Sequence, residues 1–215
     1  MTTQLPLGKL QLSIGLIWLF HLSGIIGIIY SDSEWFIRAT PLNLLLSFSL
    51  LLVNTKLNLK TSFLVLLCFM VGMGAEILGV QYGWFFGQYS YGAVLGIKFL
   101  GVPLLIGINW CVLVFITGQI AAFFTTNFWF KSLLGVGLMV FLDLVMEPIA
   151  PQLDFWTFEG GVAPIQNYLG WVFVAMPLQI IFHKTRPAVK TIFAFHLYIL
   201  QFLFFTLLLM RLNSL

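Results

Sequence analysis

The chain has 215 residues, of which 60% are hydrophobic and only 8% charged, with a net charge of +3 and a mean hydropathy of +1.04. A soluble domain carries roughly 25% charged residues, so this composition cannot make a water-exposed surface and lipid must cover most of the protein. The Lys and Arg residues are scattered, which excludes a nucleic-acid footprint. No stretch is long or polar enough for a separate soluble domain, so residues 1–215 read as a single integral membrane domain.

Inside lipid only helices or closed barrels satisfy the backbone, and the apolar runs here are continuous rather than alternating. The expected fold is therefore all-α, a polytopic transmembrane bundle. Seven spans are predicted, at about 10–30, 37–54, 61–80, 98–122, 131–148, 167–183 and 189–211. Lys9 precedes the first run but no small-residue cleavage site follows, so the run reads as a span and not as a cleaved signal peptide. Cys68 and Cys111 fall inside apolar runs and read as buried free thiols, with no disulfide framework. Seven spans place Lys9, Lys56, Lys60, Lys131, Lys184, Arg186 and Lys190 on one side of the membrane. Arg38, Lys98 and Arg211 fall on the other. The excess of positive charge predicts a cytoplasmic N-terminus in the cell (inner) membrane.

Two loops are unlike the rest. Residues 81–92 read QYGWFFGQYSYG and residues 149–166 read IAPQLDFWTFEGGVAPIQ. Both are aromatic, rich in Gly or Pro, and free of Lys and Arg. The topology puts both on the non-cytoplasmic side. They are either an interfacial aromatic belt or a lid over a lipid-facing pocket; a belt leaves the glycines unexplained.

Of the seven carboxylates, Asp32, Glu34, Asp154 and Glu159 lie in predicted loops. Glu76, Asp143 and Glu147 lie within or at the ends of spans, where an ionisable group is costly and marks a functional site by default. The alternative is a structural residue bonded to a neighbouring helix. Glu76 is near the end of the third span, and Asp143 and Glu147 are near the end of the fifth, so all three share one depth. Asp143 and Glu147 are four apart, on one helix face. Pro148 disfavours helix at Glu147, so the helix should end there. Desolvation and like charge oppose full ionisation of such a pair, and the negative end of the helix dipole acts the same way. A protonated carboxylic acid beside a membrane-facing cavity is expected.

Asn109 and Trp110 lie inside the fourth span, and Asn167 and Trp171 open the sixth on one face. An intramembrane Asn usually bonds to a partner helix. His21, His183 and His196 are far apart and no Cys–His cluster exists, so no metal site is expected. Gly72-Met73-Gly74 lies in an apolar span and reads as close helix packing, not as a phosphate loop. Acids, amides and aromatics suit proton chemistry on an apolar molecule. An acid protonates an isolated carbon–carbon double bond. Aromatic faces and a nearby carboxylate then stabilise the cation, and water captures it as an alcohol. Burial keeps the proton available but weakens the acid, so most of the barrier reduction must come from stabilising the cation.

The segments Gly74-Ala75-Glu76, Tyr89-Ser90-Tyr91-Gly92, Gly101-Val102-Pro103-Leu104 with Asn109-Trp110, Asp143-Leu144-Val145-Met146-Glu147-Pro148-Ile149-Ala150, Asp154-Phe155-Trp156, and Pro164-Ile165-Gln166-Asn167-Tyr168 with Gly170-Trp171 occur in that order. From about residue 70 to 175 the chain resembles the carotenoid 1,2-hydratase family, small integral membrane proteins of bacteria and archaea that include γ-carotene and bisanhydrobacterioruberin hydratases. The Asp-x-x-Met-Glu-Pro-x-Ala segment is the most specific part. The resemblance implies a cofactor-free hydro-lyase of carotenoid biosynthesis. Such an enzyme takes a lipid-dissolved carotenoid and water, adds water across the terminal double bond of an acyclic end, and leaves a tertiary alcohol. It leaves room for association with other carotenoid enzymes.

On this reading Glu147 is the proton donor, Asp143 stabilises the cation or positions water, and Glu76 is the third acid and candidate base. Asn109 and Asn167 orient water or the carboxylates. Trp110, Trp156, Trp171, Tyr82, Tyr89 and Tyr91 line the polyene end. Three other readings remain. A lycopene-type carotenoid cyclase makes the same first cation and closes a ring. A transporter or channel also uses intramembrane acids, although here they cluster on one side. For a structural subunit, three acids at one depth are unexpected.

Overall fold

The computed structural model describes residues 8–212. Helix α1 (Lys9–Tyr30) is followed by α2 (Ser33–Arg38), which begins where the Asp32 carboxylate accepts a hydrogen bond from the Trp35 backbone N–H at 3.1 Å. A break at Ala39 separates α2 from α3 (Thr40–Val53), and Pro41 sits in the first turn of α3, where its missing N–H costs nothing. Together α2 and α3 form one apolar segment, Ser33–Val53, long enough to cross a bilayer. The second span thus starts earlier than the apolar run at 37–54 suggests, through a kinked entrance helix.

Helix α4 (Leu59–Tyr82) is capped by Asn58, whose side chain accepts from Thr61 N–H at 3.0 Å. After it come β1 (Tyr89–Tyr91), β2 (Lys98–Phe99) and β3 (Val102–Pro103), then α5 (Leu104–Phe124). The expected span at 98–122 begins too early, because β2 and β3 pair as a small antiparallel hairpin. Leu100 and Gly101 hold φ of 49° and 85°, and Pro103 keeps Val102 extended, so no helix can form before Leu104. Helix α6 (Phe128–Met146) is capped by Asn127 and ends with Glu147 as its C-cap, the boundary expected from Pro148. A 3₁₀ turn (Ala150–Leu153) and β4 (Trp156–Phe158) lead to α7 (Ile165–Thr185) and α8 (Thr191–Leu212).

The fold is all-α and polytopic, with seven segments among the described residues long and apolar enough to cross a membrane: α1, α2–α3 and α4 to α8. Helix α5 is the axis, packed against α3, α4, α6, α7 and α8. Polar groups join the helices where lipid offers no competitor. Gln179 Nε2 donates to Thr117 Oγ1 at 2.8 Å, Trp18 Nε1 to His196 Nδ1 at 3.1 Å, and the Tyr198 hydroxyl to the Leu138 carbonyl at 2.9 Å.

Helices α4 and α5 approach closely at Gly72. A Cβ there would run into the Trp110 side chain, whereas one at Gly74 meets nothing. Gly72→Leu is therefore expected to destabilise the detergent-solubilised protein by about 1–3 kcal/mol through overpacking, while Gly74→Leu leaves the melting midpoint near wild type. Equal midpoints for the two variants would contradict this packing.

Candidate active site

The ends of α4 and α6 and the beginnings of α5 and α7 meet at one end of the bundle. Glu76, Asp143, Glu147, Asn109, Trp110, Asn167 and Trp171 line a common cavity of about 30 Å³ there, close to the room a single water needs. Tyr89, Tyr91 and Trp156 come in from the loops to the same cavity.

Glu76 is buried and held by three donors from two directions. The hydroxyls of Tyr89 and Tyr91 donate to Oε2 at 2.5 and 2.6 Å, and Trp110 Nε1 donates to Oε1 at 3.0 Å. Burial pushes both tyrosine phenols above their ordinary range, and the charge of Glu76 adds to this, so both remain donors.

Asp143 and Glu147 face one amide. Asn167 Nδ2 donates to Asp143 Oδ2 at 2.8 Å and to Glu147 Oε1 at 3.0 Å. Trp156 Nε1 donates to Glu147 Oε2 at 3.0 Å. The second oxygen of Asp143 is buried with no protein partner, which leaves it able to carry a proton. Glu147, just beyond the end of α6, is pushed above the ordinary carboxylate range by burial, with the Trp156, Asp143 and Asn167 hydrogen bonds acting against that rise and the Glu76 charge adding to it.

The two unusual loops form the cover. Strand β1 pairs antiparallel with β4, in the register Tyr89↔Phe158, Ser90↔Thr157 and Tyr91↔Trp156. Asp154, at φ 54°, clamps the first loop through Oδ2, which accepts from the N–H of Ala93 at 2.8 Å and Val94 at 3.1 Å. Gly92 is required at this junction because a Cβ would collide with the Asp154 backbone. Aromatic walls complete the cavity. Trp110 and Trp171 stack with centroids 4.4 Å apart and planes 16° apart, with Phe86 beside both.

Each residue singled out from the sequence joins the cavity except Tyr82. Tyr82, the last residue of α4, is 65% exposed and its ring lies against Trp84. The belt and lid readings therefore divide within one loop: Tyr82 and Trp84 face outward, while Tyr89 and Tyr91 face the acids. Sequence reasoning missed Phe86 and Phe158, which also line the cavity. Phe86 lies in the flagged loop, and the alternation of β4 places Phe158 on the face of Trp156.

The family model described as "Carotenoid biosynthesis protein" matches residues 40–214. The chain belongs to this family. It is also 33% identical over 113 residues to the bisanhydrobacterioruberin hydratase of Haloarcula japonica, a match that covers 46% of this chain and 36% of that relative. The chain therefore matches little more than a third of the length of its curated relative. No solved structure matches the chain.

The raised Glu147 has a consequence for stability. The folded protein binds this proton more tightly than the unfolded chain does, so the contribution is fully present below the ordinary value of 4.5. It is lost as pH rises from there toward and through the higher folded-state value. The melting temperature in detergent should accordingly fall over that rise, and Glu147→Gln should flatten the slope; an unchanged slope would remove Glu147 as its source.

Proposed function

We propose that this protein is a carotenoid hydratase that adds water across the terminal (1,2) double bond of an acyclic carotenoid end group. The observation that carries the reading is the convergence of three buried carboxyls and stacked indoles on one small cavity. The family membership supports carotenoid chemistry, and the likeness to a bisanhydrobacterioruberin hydratase supports hydration as the reaction class.

The Asp143–Glu147 pair acts as one proton-sharing unit. Two carboxyls that share one amide in a water-poor site do not both ionise, so together they hold a proton. Delivery of that proton to C2, the CH carbon of the double bond, leaves a tertiary cation at the dimethyl-bearing C1 and gives the pair one more negative charge. The faces of Trp110, Trp171 and Trp156 stabilise the cation, as does Glu76, which three fixed donors hold in place. Water then adds through its oxygen to the cationic carbon. Its extra proton returns to the carboxyl pair, and the net change is alkene plus water to tertiary alcohol. Asn109 and Asn167 orient the water and the carboxyls.

The arrangement of Lys and Arg supports a cytoplasmic N-terminus, and with it a site toward the outer face of the cell (inner) membrane. No cofactor is called for by this sequence of steps.

Expression in a host that accumulates lycopene or γ-carotene, with pigments read by mass spectrometry, tests the reading. Wild type should give a product heavier by one water. Glu147→Gln and Asp143→Asn should each lower its yield by about two orders of magnitude or more, with membrane insertion unchanged. A cyclised product of unchanged mass would instead identify a cyclase, and near-normal hydration by Glu147→Gln would remove its role in the proton donor.

A further inference from the structure

Three cavities lie in series between the outer surface of the bundle and the carboxyls. The first is a crevice of about 340 Å³ between α1, the α2–α3 kink and α8, walled by Leu19, Phe20, Gly24, Trp35, Leu42 and Phe204. The second is a chamber of about 80 Å³ that shares Thr40, Asn43 and Phe204 with the crevice. The third is the carboxyl-lined cavity, which shares Ile106, Asn109, Met146 and Trp156 with the chamber. Adjoining cavities thus have walls in common along the whole way.

We infer that this series is a lateral access path from the bilayer, in which an acyclic isoprenoid chain lies along the crevice and chamber with its terminal double bond at the carboxyls. The inference rests on the hydration reading above and adds the route by which its substrate reaches the acids.

Four observations support that occupant. The carboxyl-lined cavity, at about 30 Å³, is far too small for a long substrate, whose body must lie beyond it. The crevice is walled by α1, α2–α3 and α8, all of which belong to membrane-crossing segments. Leu19, Phe20, Trp35 and Leu42 are exposed there, which suits a hydrocarbon arriving from lipid. The β1–β4 cover lies over the loop end of the site, so a side approach avoids carrying an apolar chain through water.

The polar atoms along the path also have a use. Asn43 Oδ1 and Gln201 Oε1 are buried without protein partners, and both residues line the chamber. Water held by such acceptors would stand beside the reacting end of the chain.

Ser23→Trp and Thr40→Trp, which fill the crevice and its junction with the chamber, test the path. Phe63→Trp on the exposed face of α4 serves as control. Turnover is measured in proteoliposomes with lycopene and with myrcene, a short acyclic isoprenoid ending in the same kind of double bond. In both crevice variants the ratio of lycopene to myrcene turnover should fall by about tenfold or more, while the control keeps the wild-type ratio. A readout independent of turnover is a photoreactive benzoylphenylalanine at position 42, which should crosslink to lycopene, whereas one at position 63 should not.

An active wild type with unchanged ratios in both crevice variants and no crosslink at position 42 overturns the path and leaves the hydration reading intact. An inactive wild type that still crosslinks at position 42 overturns hydration and retains the path.

Discussion

A carboxyl group inside a membrane protein is costly unless it is given partners, and here three of them border one cavity. The surrounding architecture supplies those partners from distant parts of the chain. Glu76 on α4 is held by Trp110 from α5 and by two tyrosines from β1. Asp143 and Glu147, at the end of α6, are held by Asn167 from the first turn of α7 and by Trp156 from β4. Helix ends and cover strands are thus tied to the same groups, so the order of the loops and the order of the acids depend on each other.

The same arrangement sets up the chemistry. The polar groups around the acids are held in fixed hydrogen bonds and aromatic rings wall the cavity, which leaves little mobile water and keeps the local dielectric low. Low dielectric strengthens every charge interaction, including that between a carbocation and a fixed carboxylate. It also makes a carboxylic acid a weaker proton donor. In the proposed hydration, the stacked Trp110 and Trp171 rings and the three-donor clamp on Glu76 favour the cation. In the proposed hydration, the carboxyl pair holds the proton beside the reacting double bond.

Around this centre the helices divide the labour. Helix α5 is the buried axis, and its first turns contribute Ile106, Asn109 and Trp110 to the cavity. Helices α1, α2 and α3 lie further out, and the kink at Ala39 opens a crevice instead of closing against α8. Asp154 draws the loop after β1 onto the segment before β4 through two backbone N–H groups. A buried axis, an open side and a tied cover together form the frame on which the proposed lateral path rests.

The sequence by itself determined the membrane fold, because about twenty apolar residues in a row have no other stable place. It also determined that the three acids share one end of the bundle, because spans of fixed length alternate in direction. Its Asp-x-x-Met-Glu-Pro segment placed Asp143 and Glu147 on one face and ended α6 between Met146 and Pro148. Only the tertiary structure decided the rest. The apolar run at 98–103 looks like the start of a span, yet backbone angles at Leu100 and Gly101 make it a hairpin. Tyr82 and Tyr89 have similar surroundings in sequence, but one helical turn against one strand sends the first outward and the second to Glu76. The chamber is built from His21, Asn43, Asn109 and Gln201 on four different helices. Which faces those helices turn toward one another depends on rotational phase and packing, and no local pattern in a uniformly apolar chain encodes that.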